Sequence, residues 1–190
     1  MNNQQVNSMP RIGDKAPDFE AMTTMGKIRF SDYNKGRWVI FFSHPADFTP
    51  VCTTEMTGFA KEKAFFDSRN TALLGLSIDS IHAHIAWVNA VNEKTGVLFN
   101  FPIVADLDMS VAKLYGMLQP GESETATVRA VFFIDPEGII RLIMYYPLNI
   151  GRSMEAKDGY PFVHFHSHVI FTQLELLALS SNSLLIRVSI

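Results

Sequence analysis

Two apolar runs organise the chain: Trp38-Val-Ile-Phe-Phe42 and Ala72-Leu-Leu-Gly-Leu-Ser-Ile78. Nearly continuous runs predict strands covered on both faces, not the alternation of a half-exposed strand. Each is followed by apolar residues at helical spacing. After the first, Met56, Phe59, Ala60 and Phe66 recur with Lys61, Glu62 and Lys63 between them, predicting a helical stretch to about Arg69. After the second, Ser80 to Lys94 reads as a helix, with Ser80 as N-cap and Gly96 just past the end. Phe101 to Ala105 reads as a short strand. Met109 to Met117 reads as a short helix with Asp108 as a cap. Ala130–Ile134 and Ile139–Met144 read as strands joined by Asp135-Pro-Glu-Gly138, tight-turn chemistry that predicts an antiparallel hairpin. The first ten residues are polar, and ordered chain is expected from about Ile12, punctuated by Gly13, Pro17 and Gly26.

Strand–helix units followed by a hairpin indicate an α/β fold. The expected sheet is mixed, mostly parallel with an antiparallel edge, and flanked by helices. Ligands in such sheets bind beyond the carboxyl ends of the strands, and residues 43–52 occupy that place for the first buried strand. Composition narrows the classes. A length of 190 residues suits one domain, or a domain with an extension. A net charge of −3 without a basic face argues against nucleic acid as partner. No apolar run approaches the roughly 20 residues that span a bilayer, and the polar start Met1-Asn-Asn-Gln-Gln lacks the order of a secretory signal. The expectation is a cytoplasmic protein that makes no membrane contact.

The single cysteine, Cys52, excludes an intramolecular disulfide framework, a CxxC redox pair and a multi-cysteine zinc site. Two readings of it compete. A free cysteine is commonly a small buried hydrophobe. Thr49-Pro50-Val51-Cys52, however, has the form of a helix start, with Thr49 as N-cap and Pro50 at the first helical position. Cys52 then lies in the first turn, where unpaired N–H groups and the helix dipole favour a thiolate, the nucleophilic form of cysteine. The same turn brings the Thr49 hydroxyl near the sulfur as donor or acceptor.

At these residues the sequence resembles a known family. Pro45-x-x-x-Thr49-x-x-Cys52, within Ser43-His-Pro-Ala-Asp-Phe-Thr-Pro-Val-Cys-Thr-Thr-Glu55, is similar to the active-site signature of the peroxiredoxins, in the form of their one-cysteine-like branch. Ile12–Phe19, Val128–Gly138 and Tyr146–Arg152 resemble further segments of that family in the same order, so the likeness covers about residues 10–155. It implies a thioredoxin-like fold over residues 10–156 and a thiol-dependent peroxidase acting on hydrogen peroxide or alkyl hydroperoxides. By resemblance, Cys52 is the nucleophile, Thr49 aligns the peroxide, Pro45 covers the thiolate and Arg129 holds it ionised. Glu55 orients an arginine, and His44 and Arg152 match supporting positions. Each also has a plainer reading: Pro45 ends a strand, Thr49 caps a helix, Arg129 and Arg152 are surface charges, His44 is a core histidine, and Glu55 favours a helix N-terminus. The implied product is a sulfenic acid on Cys52, re-reduced by an external thiol such as glutathione or thioredoxin, because no second cysteine exists. The resemblance further implies a homodimer or ring of dimers, with no cofactor and no metal. The rival reading is a redox-sensing, chaperone-like assembly oxidised without steady turnover.

After Met154-Glu-Ala156 the likeness stops. Residues 157–190 form an atypical tail, read either as a buried or interface segment or as an altered gene end. His164, His166 and His168 alternate within it, weak support for a metal without a carboxylate or cysteine partner. His82 and His84, two apart on a predicted helix, point in different directions and form no site together.

Overall fold

A computed structural model of the chain describes residues 9–152. In chain order the elements are β1 (Glu20–Thr23), β2 (Gly26–Arg29), α1 (Phe30–Asn34), β3 (Trp38–Ser43), α2 (Pro50–Lys61), α3 (Lys63–Asp67), β4 (Thr71–Ser77), α4 (Ile81–Thr95), β5 (Ile103–Ala105), α5 (Ser110–Leu114), β6 (Arg129–Ile134) and β7 (Ile140–Tyr146). The chain divides into two compact units, Met1–Gly151 and Arg152–Ile190. His164, His166 and His168 lie outside the described residues.

The strands form one mixed sheet in the order β2-β1-β5-β4-β3-β6-β7. Only β3–β4 and β4–β5 pair in parallel, and the other neighbours are antiparallel. The sheet is therefore less parallel than the apolar runs predict. Residues 20–29, where the sequence offers only Gly26 as a punctuating residue, form a β1–β2 hairpin; β2 is the sheet edge, and neither strand carries an apolar run. Strands β3 and β4 are the buried centre. Side chains alternate across β3: Val39 and Phe41 pack with Phe30 of α1 and Val111 of α5, while Phe42 stacks on Phe59 of α2 at 4.1 Å between ring centroids. Gly75 of β4 lets α2 approach closely, since a Cβ there would lie 3.1 Å from the Met56 methyl.

Two helix boundaries differ from the periodic reading. Glu62, at φ −86° and ψ 0°, separates α2 from α3, although the apolar positions run across the break. Helix α5 is shorter than residues 109–117, and two carboxylates meet its first-turn N–H groups: Asp108 accepts from Ser110 at 3.1 Å, as expected, and Asp106 adds to it. Asp106 accepts from the N–H groups of Val111 (3.0 Å) and Ala112 (2.6 Å). The β6–β7 hairpin is as expected, with Asp135 Oδ1 accepting from the N–H of Glu137 and of Ile139 across the turn.

Candidate active site

The site is built where β3 runs out into the loop 44–49 and α2 begins. Pro50 fills the first helical position and Cys52 sits in the first turn, fully buried. Thr49 occupies the N-cap position but makes no side-chain cap bond; its hydroxyl donates to the Ala46 carbonyl at 3.0 Å. The expectation that Thr49 caps the helix, or donates to the sulfur, is corrected by that bond. With its proton committed, Oγ1 is available as an acceptor, and the first-turn N–H groups receive no side-chain cap. Phe48, just before, has φ +59°, an uncommon conformation for an aromatic residue that turns the chain sharply into the helix. Pro45 is half-buried in the same loop.

Arg129 reaches Cys52 from β6. Its Nη1 donates to Sγ at 3.3 Å and to Glu55 Oε2 at 2.5 Å, while Nε and Nη2 donate to the Leu148 carbonyl at 3.3 and 3.1 Å. Glu55 follows Cys52 by three residues and so shares its helix face. Both Arg129 and Glu55 are 3% exposed. A buried pair with these additional hydrogen bonds fixes the guanidinium as a planar donor aimed at the sulfur. The positive charge and the helix start both stabilise negative charge on Sγ.

Sequence reasoning passed over two residues that hold Arg129 in place. Ser43, the last residue of β3, donates to the Val128 carbonyl (2.6 Å) and accepts from the Ala130 N–H (3.0 Å), clamping the start of β6. Thr127 donates to the His44 carbonyl at 2.8 Å. Both are short polar residues beside buried strands, a pattern too common to single them out. Arg152 is buried and opens the second compact unit.

His44 lies on the other side of the loop. Its Nε2 is 2.8 Å from Asp47 Oδ1, and Asp47 Oδ2 is 2.7 Å from His84 Nδ1. His84, set aside because it forms nothing with His82, thus belongs to a buried His–Asp–His cluster reaching from β3 to α4. Burial pushes the His44 imidazole below its ordinary value, against the opposing effect of its hydrogen bond to Asp47. Burial alone would raise the Asp47 carboxyl, but the hydrogen bonds to His44 and His84 outweigh it and hold it below the usual carboxylate range.

Comparison with known proteins points to one family. The model of the AhpC/TSA family matches residues 12–143. A peroxiredoxin of Aquifex aeolicus is 56% identical over 150 residues, 79% of this chain and 68% of that protein. One of Methanosarcina mazei is 56% identical over 153 residues, covering 77% of this chain and 70% of that protein. The chain thus spans about two thirds of the length of these relatives. Among solved structures, a yeast mitochondrial 1-Cys peroxiredoxin, described with its thiol resolving mechanism via glutathione/thioredoxin systems, is 41% identical with a TM-score of 0.76. It covers 90% of this chain and 78% of its own. A cysteine-to-serine mutant of peroxiredoxin 6 of Arenicola marina gives a TM-score of 0.77 at 32% identity, over 91% of this chain and 76% of its own.

Proposed function

The chain belongs to the AhpC/TSA family, the peroxiredoxins, and from that premise we propose that Cys52 reduces hydrogen peroxide and small alkyl hydroperoxides. Members of this family are thiol-dependent peroxidases, and this chain is such an oxidoreductase. The observation that carries the residue assignment is the Arg129 Nη1–Sγ contact of 3.3 Å at the start of an uncapped helix.

In the proposed step the Cys52 thiolate attacks the terminal peroxide oxygen. The S–O bond forms as the O–O bond breaks, sulfur is oxidised to the sulfenic acid, and the leaving oxygen departs as water or alcohol after taking a proton. Arg129 donates to the sulfur and to the charge developing on oxygen. Thr49 Oγ1 accepts the peroxide O–H, which aligns the O–O bond. Pro45 shields the pocket, Glu55 fixes Arg129, and His44 supports the loop. Complete burial of Cys52 in this structure favours small peroxides over bulky ones.

Two equivalents of an external thiol then return the sulfenic acid to the thiol, releasing water and a disulfide of the reductant. The sole cysteine of the chain supports an external reductant, and the likeness to the yeast 1-Cys protein supports glutathione or thioredoxin as its class. A reducing compartment such as the cytoplasm supplies those thiols. Exposed Phe48 and Val51 beside the site are compatible with a homodimer or ring of dimers. Peroxide consumption by the full chain with glutathione or thioredoxin tests this reading. Many turnovers per chain, lost in Cys52→Ser, are expected; one equivalent consumed per chain under both reductants would favour the redox-sensor reading.

A further inference from the structure

The His44–Asp47–His84 cluster carries chemistry that the peroxidase step does not use. All three residues are at most 7% exposed. His84 Nε2 lies 3.1 Å from the Val104 carbonyl, which can only accept, so Nε2 carries a proton. His84 Nδ1 lies 2.7 Å from Asp47 Oδ2, a spacing that also requires a proton between the two atoms. His44 Nε2 is 2.8 Å from the other Asp47 oxygen, and its Nδ1 has no hydrogen-bond partner among the described residues. A charged His44 would bury an unsatisfied Nδ1–H, so His44 is neutral, with its proton on Nε2 and a bare lone pair on Nδ1. Asp47, held below the usual carboxylate range by these hydrogen bonds, is ionised and accepts from both rings, so the proton between Asp47 and His84 is assigned to the ring. A divalent cation among the same three residues fits less well. Coordination through His44 Nε2 would move the ring proton to Nδ1, where no acceptor lies among the described residues.

We propose that Asp47 and His84 form a buried carboxylate–imidazolium pair that fixes His44 in its Nε2–H tautomer and positions the loop 44–49 over Cys52. The pair sits within a wider set of contacts on that loop. The Asp47 N–H donates to Asp79 Oδ2 at 3.0 Å, Asp79 accepts from Ser77 Oγ at 2.6 Å, and the His44 N–H donates to the Leu76 carbonyl at 2.9 Å. The charged and titratable groups facing Asp47 are thus His44 from the end of β3, Asp79 from the turn after β4 and His84 from α4. The loop they hold carries Pro45 and Thr49. Asp47 and His84 are positioning residues: they act on the peroxide through the placement of Thr49 and not by touching it. This assignment rests on the peroxidase reading for its consequence, but not for the protonation pattern itself.

Nitrogen-15 NMR of the histidine rings in the full chain, at about pH 7, reads the pattern directly. Both ring nitrogens of His84 are expected to be protonated, and His44 is expected to be protonated on Nε2 alone. A neutral His84, or a His44 protonated on Nδ1, would overturn the proposal. The functional consequence is read in Asp47→Asn and His84→Gln by two measurements. The rate of Cys52 oxidation by hydrogen peroxide is expected to fall by about tenfold or more, because misplacement of an aligned group is costly. The ultraviolet thiolate absorbance of Cys52 is expected to stay unchanged. An unchanged oxidation rate in either folded variant, or an equal loss of thiolate absorbance, would overturn the positioning role. If neither variant folds, the ring protonation of the native chain decides. Failure of the native chain to react with peroxide, with the NMR pattern present, would count against the peroxidase reading and not against the pair.

Discussion

Two parallel strands, β3 and β4, lie side by side at the centre of the sheet and each runs into a helix, yet the two junctions are finished differently. At the β4–α4 junction Ser80 Oγ accepts from the Ala83 N–H at 3.2 Å, and the helix closes at Gly96 in the left-handed conformation. At the β3–α2 junction the N-cap residue, Thr49, turns its hydroxyl back to Ala46 and no side chain caps the first turn. The capped junction is a structural connection. The uncapped one leaves its positive end to Cys52, adds Arg129 from β6, and places a left-handed Phe48 in the loop. A helix start that forgoes its cap gives up roughly 1 kcal/mol of stability, and here the first-turn N–H groups beside Cys52 stay free of any side-chain cap.

The sharpest way to break the contrast is at Arg129. Arg129→Gln removes the cationic donor to Sγ and is expected to slow oxidation of Cys52 by about a hundredfold or more. It also breaks the buried Arg129–Glu55 ion pair, so a lower stability is expected as well. Arg129→Lys keeps a charge but loses the planar fork, and is expected to be intermediate in stopped-flow rate. A rate equal to the native one in either variant would remove Arg129 from the site.

A finer comparison exchanges the two N-cap positions. Thr49→Val is expected to slow the peroxide step by about tenfold or more through lost alignment, and Thr49→Ser to restore most of it. Ser80→Ala is expected to lower stability by about 1 kcal/mol, read by urea unfolding, with the peroxide rate unchanged. A Thr49→Val variant that loses stability but keeps its rate would show that the two junctions do the same job.

The smallest effect concerns acid. Folding holds His44 below 6.5 and Asp47 below 3.8. The unfolded chain therefore binds protons that the folded chain excludes, and stability falls as pH drops below 6.5. Well above 6.5 both groups are deprotonated in either state and contribute no slope. The urea midpoint is expected to be lower at pH 5 than at pH 7, with a smaller drop in His44→Gln. A drop in His44→Gln as large as the native one would contradict the burial of a neutral His44.

Legibility in the sequence followed the range of the interactions. Strands β3 and β4 and the Ser80–Gly96 helix could be read because their signals are local: continuous apolar runs, a capping serine and a terminal glycine. The β1–β2 hairpin could not, because its exposed edge residues carry no period. Cys52, Thr49 and Glu55 fall within seven consecutive residues and so could be read together as a helix start. Arg129 lies 77 residues from Cys52, and only the family resemblance pointed to it. His84 forms nothing with His82, its neighbour in sequence, because its partner Asp47 lies 37 residues away, across the parallel pairing of β3 and β4. The spacing of His44 and Asp47, three residues apart beside a buried strand, was the one local signal that the cluster left.

The central claim is that the uncapped helix start and Arg129 make Cys52 a fast peroxide-reducing thiol. Stopped-flow tryptophan fluorescence of the full chain mixed with hydrogen peroxide tests it most directly, with Trp87, whose ring is 5.1 Å from that of His44, as reporter. The expected result is oxidation far faster than that of free cysteine at the same pH, with no such phase in Cys52→Ser. A native rate no greater than that of free cysteine would contradict the account.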